Sequence, residues 1–513
     1  MKLCDRAAPW VAVLLSLLSY AWRMAHHVAR PTETFRGWWG WFDQGMYMRA
    51  TQAWAAGQLD PAQHWYFPGY PLLAAPFMAV TPLDPFIIPD MLCLGLAGLA
   101  FVALCARLAP RPGVPTLAAI VWTVTITASP LGMRMWVEPW TTTPVAVLTY
   151  ASLWLLLRQI DRPSTRDAAG LGLAAGAVLL FRPTDAAVLL VVTGLAAGLV
   201  VLRRRDWRSA AAGLGGVVVA ILVFGGLYTA LYGVTQSQYL AGSGTIGFEW
   251  RLLPLRWVTL VVDPRGLVPN EDSLTQAFWY VLPGVAGCAA ALATARGTAL
   301  ARHAAVLAAV TAHLVVYLMY RDLHPQGLLR YGNYHYFKWL LPMLGFYAVL
   351  LVAAPVWYRH RRRGWATAAI AATALFCWRA EFVPDGRTGV VTGPHTLALP
   401  DGIGPLDGAV RVMAKEAFSE TYLGDYAMEA GGVRWASNAA VKAQPVPYGF
   451  LFIGLRTLPS GAARVDFPPD VFLTPDEAPA MGRQSIRFSP PFDGGWIRRA
   501  SARFERWRAR PTP

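Results

Sequence analysis

The sequence predicts an all-α polytopic membrane protein of about eleven transmembrane helices, followed by an extracytoplasmic C-terminal domain of α/β or β-rich structure. Two observations support this prediction. The 513 residues are 55% hydrophobic and only 15% charged, with a mean hydropathy of +0.37, which excludes a disordered chain and disfavours a purely soluble protein. The arginines cluster in short segments between apolar runs, as they do in cytoplasmic loops.

The candidate spans are apolar runs, two of which (168–181 and 365–378) are short of the roughly 20 residues that a span needs. The first run follows Lys2 and Arg6 and has no small-residue cleavage site, so we interpret it as an uncleaved span. The runs are 8–22, 86–107, 114–131, 139–157, 168–181, 184–202, 209–232, 276–295, 303–320, 339–357 and 365–378.

The arginine-rich loops fix the sidedness of these spans. With the N-terminus in the cytoplasm, nearly all of the loop arginine clusters fall inside, and the alternate loops are poor in arginine for their length. We therefore attribute the net charge of +15 to membrane topology and expect no nucleic-acid partner. We divide the chain into a transmembrane domain (1–378), whose first outer loop is 23–85, and an extracytoplasmic domain (379–513).

In the first outer loop, the acidic residue Asp43 lies in an aromatic-rich stretch. Tyr47 follows one helical turn later, and Gly57 is placed to end the helix. Asp43 is either a helix N-cap or a catalytic acid or base, and the two roles are compatible. In the catalytic role, the Tyr47 side chain would lie on the same side of the helix as Asp43 and contact the same substrate.

A second group of candidates follows this helix. His64 precedes a turn predicted over Pro68–Pro71, Tyr70 lies within that turn, and the apolar stretch 72–80 is too short to span. These residues either bind substrate or form a rigid re-entrant loop with aromatic side chains at the headgroup level.

Two further acidic or basic sites interrupt the apolar runs on the outer side. Glu138 precedes Pro139, which we expect to open a span, so Glu138 either stabilises a helix N-terminus or acts in the site. Arg182 and Asp185 break a long apolar run and form either a tight helical hairpin or part of a cavity.

The loop from 321 to 338 is the strongest cationic feature on the outer side. It offers His324, Arg330, His335 and Lys338, with tyrosines such as Tyr331 between them. Arginine and lysine bind phosphate well. The alternative is an interface with membrane lipid headgroups.

In their order and sidedness, these residues resemble the GT-C superfamily of integral-membrane glycosyltransferases. The resemblance covers about residues 1–345 and rests on several short motifs. The matching positions are Asp43, Tyr47, Gly57, the sequence FPGYPLL after Tyr66, Arg330-Tyr331 and Pro342. Phe67 stands where the family often has a lysine, and Gln44 stands where many members have a second acid.

The resemblance implies an inverting glycosyltransferase that takes a hexosyl or pentosyl group from a polyprenyl-phosphate sugar. Asp43 is then the general base, with Glu138 as its catalytic partner. The implied contacts to the phosphate of the sugar donor are Arg330, Tyr331, His335 and Lys338, and the implied substrate contacts are Tyr47, His64, Tyr70, Arg182 and His324.

The acceptor is expected to be a lipid, a glycan or a protein at the outer face of a bacterial plasma membrane. No cofactor is expected, because the sequence shows no Asp-x-Asp motif in the second outer loop and no glycine-rich phosphate loop, although a divalent metal stays open. The alternative functions are a flippase or transporter of lipid-linked sugar and a polymerase or ligase of surface polysaccharide. The sugar, the carrier lipid and the oligomeric state are not given by the sequence.

Overall fold

The computed structural model of the chain describes residues 2–25, 42–82, 84–127, 129–248, 250, 253–263, 272–320, 323, 328 and 332–357, and nine short strands between 388 and 487. The chain forms two compact units. The first comprises Met1–Gly242, Phe278–Leu314 and Tyr334–Thr373, and the second comprises Ser243–Ala277, Val315–Asn333 and Ala374–Pro513. The predicted domain boundary at 378 lies outside the described residues.

The described chain before residue 358 is mostly helical, and every predicted apolar run in it overlaps with helix, although two of the runs, 114–131 and 276–295, each extend over a break between two helices. The helices are α1 (Lys2–Ala25), α2 (Phe42–Ala55), α3 (Gly69–Ala74), α4 (Ile87–Leu108), α5 (Val114–Thr127), α6 (Pro130–Val137), α7 (Thr142–Asp161), α8 (Thr165–Ala177), α9 (Pro183–Arg204), α10 (Trp207–Tyr232), α11 (Gln238–Ile246), α12 (Leu253–Arg256), α13 (Leu274–Ala277), α14 (Val281–Thr294), α15 (Gly297–Met319) and α16 (Leu340–Trp357). Short helical turns cover Pro61–Gln63, Ala75–Ala79, Val178–Leu180, Trp257–Val262 and Asn333–Phe337.

Among the described residues, five helices are long and apolar enough to cross a membrane, and six if α5 and α6, which meet at a bend of 85°, form one span. The five are Cys4–Ala25, Ile87–Leu108, Pro183–Arg204, Trp207–Tyr232 and Gly297–Met319. The prediction of a mostly helical chain with several apolar helices that could span a membrane is therefore confirmed. The finer count of eleven spans stays a prediction, because α8 and α14 have only 13 and 14 residues and the last run, 365–378, lies outside the described residues.

One end of the helices in the first unit carries a cluster of arginines. The Asp161 carboxylate pairs with Arg107 (2.6 Å) and Arg302 (2.7 Å), and Arg204 donates to the carbonyl of Ile160 (3.1 Å). These residues lie at or near the C-terminal ends of α4, α7 and α9 and near the N-terminal end of α15. Loops predicted to share the cytoplasmic side thus meet here, and the candidate site lies at the opposite ends of the same helices.

Glycines bring α8 and α10 into close contact. A Cβ atom on Gly172 would lie 2.0 Å from the carbonyl oxygen of Gly213, and one on Gly216 would lie 2.3 Å from that of Ala169. Small residues of this kind let the backbones of two membrane helices approach. This contact fixes α8, the helix that precedes Arg182.

Short antiparallel strands occupy the C-terminal segment. They are β1 (Thr388–Gly393), β2 (Thr396–Ala398), β3 (Leu406–Lys415), β4 (Ala427–Ala430), β5 (Val433–Ala436), β6 (Gly449–Leu458), β7 (Arg464–Asp466), β8 (Phe472–Leu473) and β9 (Ile486–Arg487). They pair in the orders β7-β2-β1-β9, β6-β3-β8 and β4-β5. A separate extracytoplasmic domain from residue 379 stays a prediction.

Candidate active site

Helix α2 carries Asp43 and ends at a glycine, as the spacing predicts. Gly57 has a left-handed backbone (φ 68°). The amide of Gln58 donates to the carbonyl of Ala53 (2.8 Å), and the amide of Gly57 donates to that of Trp54 (3.1 Å). Both bonds belong to a Schellman motif, which satisfies the last carbonyls of a helix. Gly57 therefore sets the point at which the chain leaves α2.

Asp43 is the second residue of α2, so it lies in the first turn and not at the N-cap. The helix dipole favours a carboxylate there. Its Oδ1 accepts a hydrogen bond from the hydroxyl of Tyr66. No described residue hydrogen-bonds its Oδ2. Among the described residues, the carboxylate is thus held through one of its two oxygens.

Tyr47 lies one turn beyond Asp43 on the same face of α2, as predicted. Its ring packs against Tyr66 at 4.8 Å between centroids and stands perpendicular to Tyr70 at 5.4 Å. Its hydroxyl shares a hydrogen bond with that of Thr141. The residue is buried, so its ring forms part of the wall behind Asp43.

The electrostatic environment of Asp43 combines burial with one cation. Burial raises the pKa of the Asp43 carboxyl above its ordinary value of 3.8, while the Tyr66 hydrogen bond and the charge of Arg182 act to lower it. Burial and the nearby carboxylate raise the pKa of both Tyr47 and Tyr66 well above 10. Both tyrosines therefore keep their hydroxyl protons at neutral pH, and Tyr66 donates its own to Asp43.

Residues Gly69–Ala74 form a short helix instead of the predicted turn over Pro68–Pro71. Pro68 is the N-cap of this helix and Pro71 its third residue, so neither proline removes an amide hydrogen that the helix needs. A Cβ atom on Gly69 would lie 2.6 Å from the carbonyl oxygen of Leu180. Glycine at this position lets α3 pack against the chain that leads to α9.

His64 braces the first outer loop and does not join the residues around Asp43. Its Nε2 donates to the carbonyl of Gln58 (3.0 Å), and its ring stands edge-on to Trp54 at 5.3 Å. The hydroxyl of Tyr232 donates to its carbonyl (2.6 Å). Burial lowers the pKa of His64 below 6.5, so the ring is neutral at pH 7 and holds the loop through hydrogen bonds.

The prediction that Pro139 opens a span with Glu138 at its N-terminus is wrong. Glu138 is the C-cap of α6, and α7 begins at Thr142. Pro144 supplies the physical reason. In a helix that started at Pro139, the ring of Pro144 would clash with the carbonyl of Trp140, whereas as the third residue of α7 it costs no hydrogen bond.

Glu138 is buried and pairs with Arg134, four residues earlier. Its negative charge acts on Lys338, whereas the groups that act most strongly on Asp43 are Tyr66 and Arg182. Glu138 and Asp43 were expected to act as catalytic partners. The structure instead gives each of them a different arginine.

Arg182 separates two helices, as predicted, and is the N-cap of α9. Its Nε donates to Asp185 (2.6 Å) and its Nη1 to the hydroxyl of Thr141 (3.1 Å). Its guanidinium lies 4.8 Å from the centroid of the Tyr336 ring. These three contacts fix the orientation of the guanidinium. The positive charge of Arg182 lies close enough to Asp43 to lower the pKa of that carboxyl.

Three consecutive threonines at the start of α7 each hold a different basic side chain. The pairs are Thr141 with Arg182 (3.1 Å), Thr142 with His335 (3.1 Å) and Thr143 with Lys338 (2.6 Å). The three basic residues come from distant parts of the sequence. The N-terminus of α7 therefore gathers side chains that the sequence analysis assigned to the sugar donor and substrate.

His335 is buried and neutral. Its ring stacks on that of Trp140, with 3.7 Å between centroids and 13° between planes, and its Nδ1 shares the hydrogen bond with Thr142. Burial, with the charges of Arg182 and Lys338, lowers the pKa of His335 well below 6.5. Its Nε2 has no hydrogen-bond partner among the described residues. His335 would therefore contact a ligand through a hydrogen bond and not through a charge.

Lys338 is fully buried, with its Nζ 5.0 Å from the centroid of the Trp136 ring. Burial lowers its pKa from 10.5 to about 7, although the negative charges of Asp90 and Glu138 favour the charged form. Asp90 in turn accepts bonds from the hydroxyl of Tyr70 at 2.8 and 3.0 Å. Lys338 is thus a cation whose charge changes near neutral pH.

The predicted site residues fall into three groups. His324, Arg330 and Tyr331 lie outside the described residues. His64 holds the first outer loop together through its contacts with Gln58 and Trp54 and is not part of the network around Asp43. The remaining residues join one network in the first unit, and they are Asp43, Tyr47, Tyr70, Glu138, Arg182, His335 and Lys338.

Sequence reasoning missed several members of this network. Asp90 stands in the first turn of an apolar helix, and an ionisable residue within a span is a functional candidate by default, so that signal was present. His313 lies within the apolar helix α15, and its Nε2 donates to the carbonyl of Tyr336 (2.8 Å) while its Nδ1 lies 3.4 Å from Asp185. The row Thr141–Thr143 gave no comparable signal.

Among the described residues, no group of three or more His, Cys, Asp or Glu side chains is placed to hold a metal ion. No family model, curated protein or solved structure matches this chain. A functional conclusion therefore rests on the geometry of the network around Asp43.

Proposed function

We propose that this protein is an inverting glycosyltransferase of the GT-C type, which moves a hexosyl or pentosyl group from a polyprenyl-phosphate donor to a lipid, glycan or protein acceptor. One observation carries the proposal. Asp43 is a carboxylate held by Tyr66, close to the positively charged Arg182, at the helix ends opposite the arginine cluster. A base next to a cation suits a displacement at a sugar–phosphate bond.

Asp43 is the general base in this mechanism. The acceptor hydroxyl oxygen bonds to the anomeric carbon as the bond from that carbon to the phosphate oxygen breaks, and Asp43 takes the hydroxyl proton. A single displacement of this kind inverts the anomeric configuration. The raised pKa of Asp43 brings the carboxylate closer to the neutral range in which a general base works best.

Arg182, Lys338 and His335 are the proposed contacts for the phosphate of the sugar donor. The guanidinium of Arg182 is fixed by its contacts before any ligand binds, which suits stabilisation of the charge that develops on the leaving phosphate. Lys338 adds a second cation, and His335 offers a hydrogen bond from its Nε2. Arg330 and Tyr331 remain predicted partners of the same phosphate.

We assign the arginine cluster around Asp161 to the cytoplasmic side of a bacterial plasma membrane, following the positive-inside rule. The Asp43 network then faces the extracytoplasmic side, on which the topology also puts the C-terminal segment. The membrane lipids surround the spans, and the prenyl chain of the sugar donor lies among them.

A transporter of lipid-linked sugar is the main competing function. Transporters bind their substrates near the middle of the bilayer, between related repeats. Here Asp90 is the fourth residue of α4 and Asp185 the third residue of α9, so the ionisable groups gather at helix ends. That placement favours chemistry at the membrane surface.

The test is sugar transfer by the purified protein from a panel of polyprenyl-phosphate sugars, with membrane extract as the acceptor. The Asp43→Asn variant is compared with Asp60→Asn, which changes an exposed aspartate in the same loop. We expect transfer to fall by about 10²–10⁴-fold in Asp43→Asn and to stay at the wild-type rate in Asp60→Asn.

Equal transfer by the wild type and Asp43→Asn would remove Asp43 from the chemistry. Binding of a sugar donor without transfer to any acceptor, together with movement of that lipid between leaflets, would support the transporter instead.

A further inference from the structure

We propose that Tyr66 is the positioning residue for Asp43: its hydroxyl orients the carboxylate and stabilises its ionised form. This inference rests on the proposed function, in which Asp43 is the base. Tyr66 donates to Oδ1 of Asp43 across a separation of 23 residues. Because this bond engages one oxygen, Oδ2 is the oxygen that meets the acceptor hydroxyl.

The ring of Tyr66 is held on two sides. It packs against Tyr47 at 4.8 Å and against Tyr239 at 5.0 Å between centroids. Tyr47 belongs to the same helix as Asp43, and Tyr239 comes from α11. The hydroxyl of Tyr66 therefore has little freedom to leave Asp43.

The backbone that carries Tyr66 is braced as well. The hydroxyl of Tyr232, at the end of α10, donates to the carbonyls of His64 (2.6 Å) and Tyr66 (3.2 Å). His64 in turn donates to the carbonyl of Gln58, just beyond α2. The loop is thus tied both to α10 and to the helix that carries Asp43, which fixes the distance between the two functional side chains.

The charged and titratable groups facing Asp43 are few among the described residues. Arg182 lies at the start of α9, Tyr47 on α2 and Tyr66 on the loop, and Tyr239 acts on both of these tyrosines. Tyr66 and Arg182 both favour the ionised carboxylate, against the effect of burial. Loss of the Tyr66 hydroxyl therefore removes one of the interactions that oppose burial, and the pKa of Asp43 rises further.

The test is the pH dependence of kcat/KM for Tyr66→Phe, which keeps the ring between its two neighbours and removes only the hydroxyl. A higher pKa of the base moves the acid limb of the profile to higher pH. We expect the loss relative to wild type to be about tenfold larger on the acid limb than on the plateau. The control is Tyr228→Phe, whose hydroxyl contacts the backbone at Thr235 and Ser237, and we expect its acid limb to stay in place.

A second measurement reads the Asp43 carboxyl without using activity. Infrared titration of protein labelled with [¹³C]aspartate, taken as the difference between Asp43-containing and Asp43→Asn samples, reports the protonation of Asp43. We expect this titration to move to higher pH in Tyr66→Phe and to stay unchanged in Tyr228→Phe.

The two measurements separate the possible failures. An unshifted titration in Tyr66→Phe, or an activity loss that is equal at every pH, would overturn the role of Tyr66. If the Asp43 titration shifts in Tyr66→Phe but the wild-type protein transfers no sugar, the hydrogen bond from Tyr66 does stabilise the ionised Asp43. That result would overturn the proposed function and, with it, the role of Tyr66 as a positioning residue for catalysis.

Discussion

Thr141→Val tests whether the threonine row at the start of α7 organises the site. The change removes one hydroxyl and keeps the shape of a side chain that is 2% exposed. That hydroxyl accepts a hydrogen bond from Nη1 of Arg182 (3.1 Å) and shares another with Tyr47. Since the site is buried, water does not readily replace the Thr141 hydroxyl. Arg182 and Tyr47 therefore each lose one hydrogen-bond partner.

The magnitude follows from the cost of leaving a buried polar group one bond short, about 1–3 kcal/mol. If Arg182 holds the phosphate of the sugar donor, part of this cost appears as weaker binding, and we expect the Kd of the sugar donor to rise about tenfold, or ~1.4 kcal/mol. The Tyr66–Asp43 bond is untouched, so the acid limb of the pH profile should stay where it is in the wild type.

The assay is equilibrium binding of a polyprenyl-phosphate sugar to the detergent-solubilised protein. The control is Thr193→Val in α9, whose hydroxyl donates only within its own helix, to the carbonyl of Leu189 (2.7 Å). Equal Kd values for Thr141→Val, Thr193→Val and the wild type would refute the idea that α7 positions Arg182 for the phosphate.

Two further predictions concern stability. Because burial lowers the pKa of Lys338 to about 7 in the folded protein, the unfolded chain binds more protons between pH 7 and about 10.5, so the free energy of unfolding rises with pH in that window. Denaturation of Lys338→Met across this range should lack that part of the rise, and an identical pH dependence would contradict the lowered pKa of Lys338. Gly172→Ala puts a Cβ atom 2.0 Å from the carbonyl oxygen of Gly213 and should destabilise the protein by about 1–3 kcal/mol, whereas Gly194→Ala, with nothing within 4 Å, should stabilise it by about 0.5–1 kcal/mol. Thermal unfolding measures both glycine variants, and a Gly172→Ala protein as stable as the wild type would show that α8 and α10 are not in close contact.

The helices and the first outer loop could be predicted because their signals are local. Apolar runs bounded by arginine loops located the helices, and the spacing of Asp43, Tyr47 and Gly57 located α2 and its end. Periodicity and capping act over one or two turns, so a single sequence contains them in full.

The partners of the site residues could not be predicted, because they are distant in the sequence. Tyr66 reaches Asp43 across 23 residues, and Lys338 reaches Thr143 across 195. Only the packing of helix ends brings these groups together. The error at Pro139 had a local cause. Both Pro139 and Pro144 are suited to the first turn of α7, and the helix begins at Thr142, which places Pro144 in that turn.

The most direct test of the central claim is single-turnover sugar transfer, measured together with the Kd of the sugar donor, for the wild type and Asp43→Asn. The account predicts a chemical step slower by about 10²–10⁴-fold in the variant, with the same Kd. A chemical step of unchanged rate would show that another group takes the proton, and would contradict the assignment of Asp43 as the base.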